Sequence, residues 1–217
     1  MTLTIWTYDW VPQGPRGHVR DLRLRWACEE AGLPYTVASV RFEDRTGPDH
    51  LSRQPFAQVP ALQDDDITLF ESGACLLHLA EKSDVLMPRD PRGLAETLEW
   101  LIAALNSVEM VTVPWWFIGL SSPPENTPEN PLEGWLASRL SRLEAVLSRR
   151  QYLAADRFTV ADLLMADVLR VKKLRAALAP YPALQAYTTR ILDRPAFLKA
   201  YQGQMDHFAA ADAARAN

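Results

Sequence analysis

The stretch QVPALQDDDITLFESGA, residues 58–74, decides how the rest of the chain is arranged. Its first part enters a short β-strand through Pro60, and its second part is a strand that stops where a helix begins, near Ser72. The three acidic residues at 64–66 lie between two apolar runs, which is typical of the turn of a β-hairpin. The sequence therefore predicts that Val59 and the pair Glu71-Ser72 lie at neighbouring points.

These neighbours have the chemistry to bind a small peptide. A residue before proline adopts an extended backbone, and a cis Val59–Pro60 bond would leave the N–H and C=O of Val59 open to an extended peptide. A helix that begins at Ser72 offers unpaired N–H groups and the positive end of its dipole to a carboxylate. Either motif alone is more often a plain strand start or a plain helix cap. Together they indicate one patch for a peptide backbone and its acid group.

The two motifs at this spacing resemble the glutathione-binding half of the cytosolic glutathione transferase superfamily, in which a cis Val-Pro is followed by a (Glu/Gln)-Ser pair. In that family, the valine backbone hydrogen-bonds to the cysteinyl part of glutathione, and the (Glu/Gln)-Ser pair holds the γ-glutamyl end. The resemblance implies that Val59, Pro60, Glu71 and Ser72 bind glutathione as a co-substrate, with Gln58 as a weaker addition.

Composition favours a small-molecule partner. The 217 residues can form two small domains or one large one, and 23 basic against 27 acidic side chains give a net charge of −4. Both signs are dispersed, which argues against a nucleic-acid or anionic-membrane partner. The amino end does not resemble a secretory signal, so we expect a cytoplasmic protein. Cys28 and Cys75 lie far apart without a Cys-x-x-Cys motif, which indicates buried core thiols rather than a disulfide or a metal site.

The order of elements predicts a thioredoxin-like α/β domain over residues 1–83. A strand (2–8), a loop rich in Pro and Gly (11–15), a helix (17–31) and a strand (35–41) form a βαβ unit, whose strands must be parallel. Residues 42–56 are polar and contain at most one short helix. The hairpin and a helix from Ser72 to about Lys82 complete the sheet domain, and residues 84–92 form a linker.

An all-α domain is predicted for residues 93–217. A long helix over residues 94–113 should end at Pro114, and a second long helix should run from about residue 132 to residue 149. Thr159 and Asp162 fit a capping box before a buried helix that ends near Leu169. A helix over 183–192 and a last short helix from Pro195 follow. The family resemblance covers nearly the whole chain, to about residue 205.

A glutathione transferase must hold the glutathione thiol, with a free pKa of about 8.5, as thiolate. Family members use a Tyr, Ser or Cys just after the first strand, but no Ser or Cys occurs between Tyr8 and Cys28. Counting forward from the strand gives Tyr8, and counting back from the end of the first helix gives His18. Tyr8 is equally typical of a sheet tyrosine that faces the core, and His18 is more typical of an exposed loop histidine. Arg16, Arg20 and the backbone N–H groups of the loop are the remaining donors.

The aromatic pair Trp115 and Trp116 is the candidate acceptor pocket. Such clusters are more often core or subunit contacts, but in the family the acceptor site lies near similar helices. The resemblance implies an enzyme that conjugates glutathione to a small hydrophobic electrophile in detoxification and forms a homodimer through helix 94–113. Two alternatives stay open: a glutathione-dependent isomerase or reductase, and a non-catalytic glutathione-binding or interaction module.

Overall fold

A four-stranded mixed sheet organises the amino-terminal part of the protein. The computed structural model describes residues 3–121, 130–171 and 174–216. The elements of this part are β1 (Leu3–Tyr8), α1 (Asp21–Ala31), β2 (Tyr35–Val40), a 3-10 helix (Phe42–Thr46), α2 (Pro48–Leu51), β3 (Ala61–Asp64), β4 (Ile67–Phe70) and α3 (Ser72–Glu81). The strand order is β2-β1-β3-β4, with β1 and β2 parallel and the other pairs antiparallel. This is the predicted thioredoxin-like arrangement.

The local sequence explains the ends of these elements. Along β1, Leu3, Ile5 and Thr7 are buried while the residues between them are partly exposed, because successive side chains of a strand face opposite sides of the sheet. Helix α1 ends at Gly32, whose left-handed backbone (φ 65°) is the usual glycine stop. Both features agree with the sequence pattern.

The remaining elements are helical: α4 (Pro91–Ala103), a π-helical segment (Ala104–Glu109), α5 (Met110–Ser121), α6 (Glu133–Leu147), α7 (Val160–Leu169), α8 (Leu174–Ala177), α9 (Pro182–Leu192) and α10 (Pro195–Ala216). The predicted capping box is confirmed: the Thr159 side chain accepts from a backbone N–H at the start of α7, and the Asp162 carboxylate accepts the N–H of Thr159 at 3.0 Å. Helix α7 is buried throughout, as its all-round apolar pattern indicates.

Two helix predictions were wrong. Pro114 lies inside α5 and does not end a helix. A π-helical segment lies just before α5, a change of winding of the kind at which helices bend. The last helix is not short, because α10 spans 22 residues. Residues 122–129, between the two long helices predicted from the sequence, lie outside the described residues.

The chain divides into two compact units. The first unit contains Met1–Leu86 together with Arg194–Asn217, and the second contains Met87–Asp193. Helix α10 thus packs with the thioredoxin-like elements, whereas the sequence analysis placed it in an all-α domain over residues 93–217. Helix α10 packs against α1, where the rings of Trp26 and Phe197 lie 4.7 Å apart.

One helical stretch among the described residues, Pro91–Gly119, is long and apolar enough to cross a membrane by length and hydropathy alone. It includes Arg92, Glu96 and Glu99, so it is not an uninterrupted apolar run. Core helices pass the same test, and this stretch is therefore weak evidence for a membrane span.

Candidate functional site

The β3–β4 hairpin brings the two halves of the predicted glutathione patch to one end of the sheet. Ala61 pairs with Phe70 in the antiparallel ladder, so Pro60 and Glu71 are the next residues outward on the two strands. Asp65, with φ 53°, lies in the tight turn at the opposite end. The segment from Gln58 to Pro60 therefore adjoins Glu71 and the start of α3, as the sequence predicted.

Val59 presents a free stretch of main chain. The Val59–Pro60 peptide bond is cis, and Pro60 is buried while Val59 is half-buried. None of the hydrogen bonds between described residues involves the N–H or C=O of Val59. The C=O of the preceding Gln58 accepts a hydrogen bond from Nε2 of His50 at 2.8 Å, which fixes the approach to the segment. A short extended peptide could thus pair with the backbone of Val59.

Glu71 and Ser72 form the junction between β4 and α3. Glu71 has φ 66° and ψ 116°, a conformation that side-chain-bearing residues rarely adopt. Residues held in such regions typically cost about 1–3 kcal/mol, and they cluster at binding and active sites. The Glu71 carboxylate is exposed and caps no N–H of α3, so the first N–H groups of the helix have no side-chain acceptor from it. The junction therefore offers donors for a carboxylate beside an acceptor for an amine.

A buried arginine on α1 holds the Ser72 hydroxyl. Arg23 is 3% exposed, and its Nη1 donates to Oγ of Ser72 at 3.0 Å. Because Oγ accepts this bond, the hydroxyl hydrogen is left to donate to another group. Sequence analysis missed Arg23, although its position four residues after Val19 and three before Trp26 places it on the apolar face of α1. An arginine on such a face is a recognisable signal.

Tyr8 ends β1 on the sheet face opposite Thr7. Its hydroxyl donates to the C=O of Ala57 at 3.4 Å, a long hydrogen bond, and its ring packs on Phe42 with centroids 5.5 Å apart. Partial burial raises the pKa of the Tyr8 phenol, against the opposing charge of Arg45. A neutral phenol therefore lies beside the backbone that leads into Gln58 and Val59, and it can donate a hydrogen bond there.

His18 occupies a different position, in the turns that precede α1. Its side chain is half-buried, and its backbone N–H donates to the C=O of Pro15 at 2.8 Å. Arg20 is the N-cap residue of α1 and Asp21 its first helical residue, so His18 lies near the positive end of the helix dipole. Tyr8 and His18 thus flank the loop 9–17, one at each end.

Arg16 is engaged elsewhere in the fold. Its guanidinium pairs with the carboxylate of Asp212 at 2.6 and 2.7 Å, and its Nε and Nη2 donate to the C=O of Val11 at 3.0 Å. With 8% of its surface exposed, Arg16 supports the loop and is not poised to meet a ligand sulfur. Arg20, the N-cap residue of α1, therefore stays a candidate donor to the glutathione sulfur, and Arg16 does not.

A cavity of about 550 Å³ lies beside the end of β2 and is lined by residues of the 3-10 helix and α2, Arg41, His50 and Arg53 among them. None of the predicted glutathione-binding residues lines it. Its link to the patch is His50, whose Nε2 bonds to the C=O of Gln58.

Trp115 and Trp116 lie in α5, in the second unit. Nε1 of Trp115 donates to Glu133 at 2.5 Å, and its C=O accepts from Nδ2 of Asn130 at 2.8 Å. The ring of Trp116 packs on Phe117 at 4.9 Å, and Phe117 is 55% exposed. The cluster is partly accessible, which suits either an apolar pocket or a subunit contact.

Both cysteines are buried, as predicted. Burial raises the pKa of the Cys28 and Cys75 thiols to about 12, so neither is a nucleophile near neutral pH. Among the described residues, no group of three or more His, Cys, Asp or Glu side chains could hold a metal ion.

Two family models match the chain. Residues 14–81 match the glutathione S-transferase N-terminal domain, and residues 112–195 match the glutathione S-transferase C-terminal domain. The first match contains the hairpin and all of α3, and the second contains the capping box and α7.

The chain is also similar to individual proteins of known sequence and structure. The chain is 32% identical over 190 residues to glutathione S-transferase 1 of Zea mays, which covers 82% of this chain and 88% of that protein. It is 30% identical over 196 residues to the disulfide-bond oxidoreductase YfcG of Escherichia coli, covering 84% and 88%. The structure of glutathione S-transferase-I bound with lactoylglutathione superposes with a TM-score of 0.76 at 28% identity, covering 92% of this chain and 98% of that one.

Proposed function

The chain belongs to the glutathione S-transferase family, and from this premise we propose that it conjugates the glutathione thiolate to a small apolar electrophile. The observation that carries the proposal is the end of the β3–β4 hairpin. There the backbone of Val59, which makes no hydrogen bond to another described residue, adjoins Glu71 and the N-terminus of α3.

Glutathione fits this patch group by group. Its cysteinyl backbone pairs with the N–H and C=O of Val59. The α-carboxylate of its γ-glutamyl end accepts from the first N–H groups of α3 and from the hydroxyl of Ser72, which Arg23 orients. The α-amine pairs with the Glu71 carboxylate, and Gln58, an exposed side chain, is a further contact. The unusual backbone of Glu71 is consistent with a residue whose position is set by binding.

Ionising the glutathione thiol requires one further hydrogen-bond donor, directed at the sulfur. Lowering the thiol pKa by about two units takes roughly 2.7 kcal/mol of preferential stabilisation of the thiolate. A single hydrogen bond to the sulfur from Tyr8, or from His18 at the start of α1, is sufficient in magnitude. Tyr8 is favoured because its hydroxyl lies at the backbone of Ala57, two residues from Val59. Arg20 and the loop N–H groups are the remaining donors.

For the electrophile we propose an apolar pocket walled by Trp115 and Trp116. The rings are partly exposed and Phe117 extends the surface. Apolar walls of this kind bind planar or aliphatic substrates by burial, without selecting one of them strongly.

A glutathione-dependent reductase is the second candidate function, favoured by the similarity to the disulfide-bond oxidoreductase of Escherichia coli. The chain's own cysteines are buried, so such a reaction would have to take both electrons from glutathione thiols. In that case one glutathione attacks a substrate disulfide, and a second glutathione resolves the mixed disulfide to release glutathione disulfide and two substrate thiols.

We further propose a cytoplasmic homodimer. On α4, Leu94, Leu98 and Ile102 recur every four residues and are 37–47% exposed, which leaves an apolar stripe facing outward. In the first unit, Phe56 is 64% exposed and packs on Phe70. The two apolar surfaces are suited to a two-fold interface, in which the surface of the first unit meets the surface of the second unit of the other copy.

The test of the function is glutathione-dependent turnover. We expect conjugation of a generic aryl halide, with a rate that rises with pH as the bound thiol ionises. Turnover of a mixed disulfide but of no electrophile would assign the reductase instead. An absence of glutathione-dependent turnover with several electrophile and disulfide classes would contradict both enzyme functions and leave a binding module.

A further inference from the structure

The last helix holds the loop between β1 and α1. Nε2 of His207 donates to the C=O of Tyr8 at 2.9 Å, and the side-chain amide of Gln204 donates to the C=O of Val19 at 3.0 Å. Between these points, Gly17 has φ 76°, and a Cβ there would lie 2.6 Å from the ring of Tyr201. Residues of α10 therefore contact both ends of the loop 9–20.

Asp212 lies at the centre of this contact. Its carboxylate accepts from Nε1 of Trp10 at 2.7 Å and from Nη1 and Nη2 of Arg16 at 2.6 and 2.7 Å. Arg16 in turn donates twice to the C=O of Val11. One carboxylate thereby joins the two sides of the loop, at residues 10–11 and at residue 16, and ties both to α10.

The loop has few means of its own to keep one conformation. Apart from hydrogen-bonded turns, residues 9–20 contain no regular helix or strand, and the segment includes Pro12, Gly14, Pro15 and Gly17. Ordering a loop of this length costs conformational entropy. A bidentate pair between a buried guanidinium and a carboxylate is strong enough to offset part of that cost and has a defined geometry.

We propose that Asp212 is a positioning residue: through Arg16 and Trp10 it fixes the loop 9–20, and through the loop it fixes the group that activates the glutathione sulfur. Tyr8 precedes Trp10 by two residues, and His18 follows Arg16 by two, so the same clamp orders the surroundings of either donor. The loop's dependence on Asp212 stands on contacts alone, while the effect on the sulfur rests on the proposed function.

Loss of the clamp should not detach the helix. Other contacts dock α10 on α1: the rings of Trp26 and Phe197, and the hydrogen bond from Gln204 to the Asp21 carboxylate at 2.6 Å. Arg194, just before α10, adds a bidentate pair with Glu30 at 2.6 and 2.7 Å. The Asp212 side chain itself is 42% exposed. Its replacement should therefore loosen the loop without unfolding the unit.

Hydrogen exchange followed by mass spectrometry tests whether Asp212 fixes the loop 9–20. In Asp212→Asn, peptides from residues 9–20 should exchange about tenfold faster than in the natural protein, while α1 and the part of α10 before residue 206 keep their protection. The control is Asp206→Asn, which removes one charge from the same helix; among the described residues, the Asp206 carboxylate accepts one side-chain hydrogen bond, from Gln202 at 2.7 Å. Equal loop exchange in the two variants, or faster exchange throughout the unit, would overturn the assignment.

The pH dependence of kcat and of thiol ionisation tests whether the loop positions the group that activates the sulfur. Asp212→Asn should raise the pKa of the bound thiol by about one unit and lower kcat near neutral pH by about tenfold, with the glutathione KM within about twofold of the natural value. A purely structural loss would instead lower the active fraction at every pH. A loosened loop with an unchanged thiol pKa would overturn the link to the sulfur. If the natural protein showed no turnover at all, the proposed function would fail, and the exchange result would still decide whether Asp212 fixes the loop.

Discussion

Replacing Tyr8 with phenylalanine removes one hydroxyl from the end of β1 and separates binding from sulfur activation. Within the described part of the chain, the phenol makes one hydrogen bond, 3.4 Å long, to Ala57, and its ring contact with Phe42 does not need the oxygen. Stability should therefore fall by about 0.5 kcal/mol or less. If the hydroxyl donates to the glutathione sulfur, its loss raises the bound thiol pKa by about one to two units, equivalent to roughly 1.4–2.7 kcal/mol.

The assay is the ultraviolet absorbance of the bound thiolate over pH, together with kcat and the glutathione KM. Turnover at neutral pH should fall by about 10- to 100-fold and recover as pH rises, while KM changes little. Tyr35→Phe is the matched control, because it removes a phenol from β2 that bonds to Glu29 at 3.2 Å. An unchanged thiol pKa in Tyr8→Phe would refute the assignment. The same behaviour in His18→Ala would transfer the role to His18, and no effect in either would leave Arg20 or the loop N–H groups.

Three further predictions concern binding, acid stability and assembly. Ser72→Ala should weaken glutathione binding about tenfold without moving the thiol pKa, because it acts at the γ-glutamyl end; calorimetry measures this, and an unchanged affinity would contradict the role. Hydrogen bonds from Lys82 and then from His78 hold the pKa of the Asp64 carboxyl below its usual 3.8, so its contribution to stability is complete above about pH 4 and is lost as pH falls below that value. Between pH 5 and 3, chemical denaturation should show a steeper loss for the natural protein than for Asp64→Asn, and parallel curves would count against the ion pair. Leu98→Glu should give a monomer by sedimentation at micromolar concentration, whereas the same change at the exposed Leu198 should leave a dimer; a natural monomer would exclude the assembly.

Features set by neighbouring residues could be predicted from the sequence. The proline, the acidic turn and the helix start all lie within residues 58–74, and turn chemistry and helix capping act over a few positions. The same holds for Thr159 and Asp162, which are three residues apart. The hairpin register follows from these local signals, and with it the approach of Val59 to Glu71.

Features set by distant residues could not be predicted. Asp212 and Arg16 are separated by 196 positions, and Arg23 and Ser72 by 49, so no periodic pattern links them. The choice between Tyr8 and His18 does not follow from the sequence for the same reason: the loop between them contacts α10, which is about 190 positions away. The usual rule that a proline ends a helix assumes a regular α-helix, and it fails at Pro114, where a π-helical segment precedes α5.

The central claim, that glutathione binds where Val59 meets Glu71 and α3, is tested most directly by calorimetric titration with glutathione. The natural protein should bind one glutathione per chain. Glu71→Ala should lose about tenfold or more in affinity, because a charge-assisted contact to the α-amine is removed. Asp66→Ala, which removes an exposed carboxylate from the opposite end of the same hairpin, should bind as the natural protein does. No binding by the natural protein at millimolar glutathione, or equal affinity in Glu71→Ala, would contradict the account.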